Sequence, residues 1–217
     1  MQRLDRWAVL FILPMLLISL FQAHTSGFSL TFVFFLATHL AVSLVDERQA
    51  GTLRRLLATP TSPGAILLGK SLPYLFLAIV QPVVLFSVSN ALFDVDVGSA
   101  PLALGMVMLC AAASVAGLGI LLAALVKTKR QAYCASATLV TAMAIVSGCI
   151  APHVTLPGIK YATPHYWALL GFQNVILRGT GFSGVLLPCG GLLAFALAFS
   201  LIGARAFRWV TAPCAST

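Results

Sequence analysis

Six apolar runs occupy most of this chain, at residues 7–23, 28–45, 71–93, 102–126, 132–150 and 186–207. At 1.5 Å of helix rise per residue each is long enough to approach or span the roughly 30 Å hydrocarbon core of a bilayer. Backbone groups in lipid find no water, so each run must satisfy its own hydrogen bonds as a helix. The expected class is therefore an all-α membrane protein, one domain over residues 1–217 with six transmembrane helices. Composition points the same way: 60% of residues are hydrophobic and 8% charged, too few charges to cover a soluble core of this size. Arg3 and Arg6 precede the first run as in a signal peptide, but FQAHT offers no small-x-small cleavage site, so the run is read as a span.

The cations set an orientation. Arg3, Arg6, Arg48, Arg54, Arg55, Lys70, Lys127, Lys129, Arg130, Arg205 and Arg208 all fall on one side of such a six-span chain, and only Lys160 and Arg178 fall opposite. By the positive-inside rule both termini are cytoplasmic. Trp7, Tyr74, Tyr133 and Trp209 lie near those cytoplasmic charges, where amphipathic rings favour the interface. Asp94 and Asp96 then mark an outer turn. A net charge of +8 invites a nucleic-acid reading, yet the cations are spread over short juxtamembrane sites with no aromatic platform. Anionic lipid headgroups are the better partner, and no nucleic acid is expected. The five cysteines, Cys110, Cys134, Cys149, Cys189 and Cys214, are scattered and odd in number, and read as packing residues.

Residues 46–70, DERQAGTLRRLLATPTSPGAILLGK, form a polar island between the second and third runs and hold six charged side chains: Asp46, Glu47, Arg48, Arg54, Arg55 and Lys70. From Glu47 to Ala58 the spacing predicts an amphipathic helix, with Leu53, Leu56 and Leu57 on one face and Arg48 and Arg55 on another. Pro60 ends it. Ser62 and Pro63 read as an N-cap and first helical residue, opening a helix that continues through Lys70 into the third span. Two readings fit this element: a solvated loop on headgroups, or a docking surface. Gly64, Gly69, Lys70 and Ser71 also fit the phosphate-binding pattern G-x-x-x-x-G-K-S, but TPTSP precedes it in place of a strand and Ile66, Leu67 and Leu68 fill it. Nucleotide binding is not expected of this chain.

The segment ERQAGTLRRLLATPTSPGAILLGK resembles the E-R-x-x-G-T-L-x-x-L-x-x-(T/S)-P…G-K signature of permease subunits of type-2 ATP-binding-cassette (ABC) exporters. LDRWAVLFILPMLL, GSAPLALG, KTKRQA and SGCIAP…LP…TPHYWALLGFQNVILRG extend the resemblance over nearly the whole chain. It implies a permease in the bacterial cytoplasmic (inner) membrane that works as a homodimer or heterodimer with a second permease and two copies of a separate ABC ATPase subunit. ATP and magnesium would be held by that ATPase, with no cofactor on this chain and no enzymatic activity of its own. The cargo class implied is lipophilic or amphipathic: drug, lipid, glycolipid or polysaccharide. Carried over residue by residue, Glu47, Arg48, Gly51, Thr52, Leu53, Arg55, Leu56 and Pro60 belong to the ATPase-coupling segment, with Gly69 and Lys70 opening span three. In physical terms Gly51 permits close backbone approach, the leucines dock, Glu47 pairs with an arginine, and Lys70 snorkels to the headgroups. Arg54 stands where members often carry an acid, and only His24 to Gly27 separates spans one and two, where some branches insert a large outer domain.

Between spans five and six, residues 164–178 predict a helix too short to cross and too apolar for open water, capped by Thr163, started by Pro164 and ended by Gly179. It reads as an interfacial or re-entrant helix. The resemblance places such helices at an external gate, making Tyr166, Trp167, Phe172 and Asn174 the candidates; an aromatic membrane anchor is the competing reading. Small-residue stripes Ala113/Gly117, Gly119/Ala123 and Ala196/Ser200/Ala204 predict close helix contacts within the bundle or dimer. His39 and Gln81, the latter beside Pro82 and below Pro73 in span three, are the polar candidates for a transport pathway. His24, His153 and His165 are expected near the outer surface. An ATP-independent secondary carrier or channel would need intramembrane acids, and the six runs contain no Asp or Glu. A membrane-embedded enzyme would need a nucleophile–base pair or histidine cluster, and neither is found.

Overall fold

The computed structural model describes residues 25–93, 100–150 and 158–211, which form seven α-helices and one short 3-10 turn, with no strand among them. The run at 7–23, the turn at Asp94 and Asp96, His24, His153 and Cys214 lie outside the described residues. In chain order the helices are α1 Thr25–Gln49, α2 Thr52–Leu57, α3 Pro63–Phe93, α4 Pro101–Leu125, α5 Lys129–Val146, α6 Pro164–Ile176 and α7 Leu186–Thr211, with the 3-10 turn Ile159–Ala162 before α6.

Among the described residues, four stretches are long and apolar enough to cross a membrane: Gly27–Gln49, Pro63–Val88, Pro101–Leu125 and Leu186–Ala206. They correspond to the runs at 28–45, 71–93, 102–126 and 186–207, with α1 and α3 reaching further into the polar island than the apolar residues alone indicate. The run at 132–150 maps onto α5, which is 18 residues long and opens on Lys129, Arg130 and Gln131. It does not match the other four in apolarity. It starts cleanly, because Thr128 and Gln131 form a capping box: the Gln131 amide donates to the Thr128 hydroxyl at 3.2 Å, and the Thr128 amide to the Gln131 side chain at 3.3 Å. α3 starts as the sequence predicts, its Ala65 amide donating to the Ser62 hydroxyl at 3.3 Å, and it runs unbroken through Pro73 and Pro82.

α4 is the central helix and packs against α1, α3, α6 and, most extensively, α7. Lipid offers no hydrophobic gain for helix association, so close packing and hydrogen bonds must hold such a seam. Small residues supply both. A Cβ on Gly117 would lie 2.8 Å from the Ala196 carbonyl oxygen and 2.9 Å from the Ser200 hydroxyl, and one on Gly203 would lie 2.8 Å from the Leu121 amide nitrogen. Ser114 on α4 donates to the Leu192 carbonyl at 2.7 Å. Gly119 faces α1, where a Cβ would lie 2.8 Å from a Leu40 methyl. The stripes predicted for bundle or dimer therefore close contacts inside this one chain.

Candidate functional site

The last turn of α1 gathers the ends of three other helices. Asp46 pairs with Lys129 at the start of α5 at 2.5 Å, and Glu47 pairs with Lys70 of α3 at 2.5 Å. Arg48 donates to the Ala123 carbonyl at 3.2 Å and to the Val126 carbonyl, so its guanidinium closes the C-terminal end of α4, where carbonyls lack helical partners and the helix dipole favours a cation. Gln49 donates to the Lys127 carbonyl at 3.1 Å. Four consecutive residues thus tie α1 to α3, to the end of α4 and to the start of α5. Within the described residues Glu47 pairs with Lys70 of its own chain, so Lys70 is engaged there instead of snorkelling alone.

Beyond Gln49 the chain turns sharply. Gly51 has φ +74°, in the left-handed region that glycine adopts without strain, and a Cβ there would meet nothing within 4 Å. Within this chain it reverses the backbone, and nothing among the described residues packs closely on it. The predicted helix from Glu47 to Ala58 is consequently two pieces: Glu47 to Gln49 finish α1, and Thr52–Leu57 form the separate six-residue α2. The Thr52 hydroxyl spans the break, donating to the Glu47 carbonyl at 3.1 Å.

The leucines of α2 divide. Leu53 is 2% exposed and sits in the core of the bundle, whereas Leu56 is 37% exposed and Leu57 is half-buried. Thr52, Arg55 and Pro60 are exposed; the Arg54 side chain lies outside the described residues. Leu53 therefore anchors α2, which corrects its assignment as a docking residue. Leu56 and Arg55 face outward from α2, beside the exposed Thr52 and Pro60.

The four gate candidates occupy three environments. Tyr166 and Trp167 join Tyr161 and Lys160 in an aromatic cluster: Tyr161 and Tyr166 meet edge-on at 4.9 Å, and the Lys160 ammonium lies 5.3 and 5.1 Å from the two tyrosine ring centres. The Trp167 indole donates to the Tyr161 carbonyl at 2.9 Å. Phe172 is buried, stacked on Phe86 of α3 at 5.5 Å. Asn174 braces the turn into α7, donating to the Gly184 carbonyl at 2.7 Å and accepting from Arg178 at 2.9 Å. Thr163 occupies the N-cap position of α6 without a side-chain capping bond; its hydroxyl donates backward to the Lys160 carbonyl at 2.8 Å.

The pathway candidates lie on α1 and α3, which pack together. His39 is half-buried. Gln81 is 1% exposed, and both amide atoms lack a hydrogen-bond partner among the described residues, a costly state for a buried polar group. The sequence missed another buried polar side chain in the state of Gln81. His165, expected near the outer surface, is fully buried and stacked on Phe34 at 3.9 Å, both ring nitrogens without a hydrogen-bond partner among the described residues. Burial pushes its imidazole down to about 3, so it stays neutral near pH 7.

Residues 19–205 match the family described as ABC-2 family transporter protein. The chain belongs to the ABC-2 transporter family. It is 29% identical to the linearmycin resistance permease protein LnrN of Bacillus subtilis (strain 168) over 190 residues, covering 86% of this chain and 49% of that protein. It is 25% identical to the probable multidrug ABC transporter permease YbhR of Escherichia coli (strain K12) over 117 residues, 54% of this chain and 32% of that protein. The chain thus spans about half the length, or less, of the curated relatives it matches. An ABC-2 permease is a membrane transport protein, and the ERQAGTL segment that pointed to this family forms the α1–α2 junction described above.

Proposed function

We propose that this permease carries cargo out of the cytoplasm, driven by a separate ABC ATPase that docks on α2. The observation that carries the reading is the construction of the α1–α2 junction. A six-residue helix is anchored by Leu53 and leaves Arg55 and Leu56 facing outward, while the four residues before the turn are bonded to α3, α4 and α5. A push on α2 from a closing ATPase would reach those elements as a unit, the arrangement a rigid-body switch requires. α2 is then the coupling helix, with ATP and magnesium on the partner.

Six spans, with the run at 7–23 first and α5 fifth, place both termini and α2 in the cytoplasm of a bacterial inner membrane and α6 at the outer side. Two permeases and two ATPase copies complete the exporter. The linearmycin-resistance and multidrug relatives, together with a described bundle whose acids lie only at the end of α1, support a lipophilic or amphipathic cargo. The polar groups of His39 and Gln81 lie along its route, and Tyr166 and Trp167 lie at the exit.

The test is co-expression with a candidate ABC ATPase subunit, followed by reconstitution in liposomes. Co-purification and ATP-dependent movement of an amphipathic dye across the bilayer are expected. Transport by the chain without an ATPase would overturn the reading.

A further inference from the structure

Between α1, α2 and α3 lies a cavity of about 600 Å³ lined by Ser43, Leu56, Lys70, Pro73, Tyr74 and Leu77, with Ala65, Ile66 and Gly69 along its wall. Ala65, Gly69, Pro73 and Leu77 recur every four residues on α3 and share one face of that helix. The trough they form runs about 18 Å along the axis, close to one leaflet of a hydrocarbon core roughly 30 Å thick. Its floor is open, since a Cβ on Gly69 would meet nothing within 4 Å. Its lining is apolar except for the Lys70 ammonium and the hydroxyls of Tyr74 and Ser43. Among the described residues one acid faces that ammonium, Glu47 at 2.5 Å, which leaves two of the three ammonium protons for another acceptor. Lys70 is within reach of one, its side chain 38% exposed.

We infer that this trough is a binding site for one anionic glycerophospholipid of the adjoining leaflet. The phosphate takes the free protons of Lys70 beside Tyr74, and an acyl chain lies along Gly69, Pro73 and Leu77. Charge and shape both select this occupant: a cation at the charged end of the bundle meets the headgroup, and a groove of leaflet length with small residues on its floor takes the chain. A zwitterionic lipid would bring its own cation against Lys70. The lipid would also touch Leu56, so its occupancy bears on how α2 sits. The inference goes beyond the transport reading and holds whether or not an ATPase couples to α2.

The test uses the purified full chain in detergent with phosphatidylglycerol or phosphatidylcholine added, bound lipid being counted by native mass spectrometry. Wild type should hold phosphatidylglycerol about fivefold more tightly, the preference one basic residue supplies near a membrane surface. Lys70→Gln should erase the preference. Gly69→Phe, which fills the trough and keeps the lysine, should lose the lipid while melting at the wild-type temperature. Equal retention of the two lipids by wild type, undiminished preference in Lys70→Gln, or full displacement by inorganic phosphate alone would each overturn the inference.

Discussion

Leu53 and Leu56 stand three residues apart on the same six-residue helix, and the structure separates their roles sharply enough to measure. Leu53 is 2% exposed and Leu56 is 37% exposed. Truncating a leucine in a packed core costs about 2–5 kcal/mol, the lost transfer energy plus the cavity left behind, whereas a surface truncation stays within about 0.5 kcal/mol. For a chain of this size each kcal/mol moves the melting temperature by about 2–4 °C. Leu53→Ala should therefore lower it by roughly 4–20 °C, and Leu56→Ala by no more than about 2 °C. Melting can be followed with a thiol-reactive fluorophore, because Cys110, Cys149 and Cys189 are buried and free while Cys134 is exposed and contributes a constant background. Association with the ATPase should show the reverse order. Leu56→Asp should weaken co-purification and leave melting unchanged, while Leu53→Ala should be rescued for co-purification at low temperature. If Leu53→Ala and Leu56→Ala melt together, the division of α2 into an anchored and a free face is wrong.

Three further outcomes follow from the geometry. Gly117→Ala and Gly203→Ala should each destabilise the α4–α7 seam by about 1–3 kcal/mol in a denaturation titration, because a Cβ meets backbone or side-chain atoms at 2.8 Å at both sites; an unchanged midpoint would contradict so close an approach. A double-mutant cycle on Glu47 and Lys70 should return a coupling of about 0.2–1 kcal/mol, since both side chains are partly exposed and solvent screens the pair, with partial recovery in the charge-swapped Glu47→Lys/Lys70→Glu chain. His165 is held neutral in the fold with its pKa lowered to about 3, so as pH falls below the unfolded value near 6.5 the unfolded chain takes up the proton first. Stability should then decline at up to about 1.4 kcal/mol per pH unit between pH 6.5 and 3, and His165→Phe should remove that component from the melting curve.

Much of this was legible in the sequence because the solvent does the sorting. Lipid-length apolar runs leave few alternatives to helices, and the runs at 28–45, 71–93, 102–126 and 186–207 reappear as α1, α3, α4 and α7. Ser62 and Pro63 announced the start of α3, and the stripe containing Gly117 announced a close seam. What escaped were contacts between residues far apart in the chain. Nothing local distinguishes Arg48, which closes the end of α4 some 75 residues away, from Arg55, which faces out. Periodicity joined Glu47 to Ala58 in one helix because a glycine inside a helical pattern carries no sign of its φ; only the fold shows that Gly51 turns the backbone. The same periodicity put Leu53 on a docking face, although a leucine face serves equally to hold a helix down. The burial of His165 was not legible because an apolar segment does not say which face of its helix is covered; Phe34 of α1 stacks on His165, and Phe86 of α3 stacks on Phe172 of the same helix.

Site-specific photo-crosslinking of the assembled transporter in membranes tests most directly whether α2 is the contact with an ATPase. A crosslinker introduced at position 56 should capture the ATPase subunit, and one introduced at position 161, in the aromatic cluster before α6, should not. Capture from position 161 with none from position 56 would place the ATPase at the other end of the bundle and contradict the coupling role of α2.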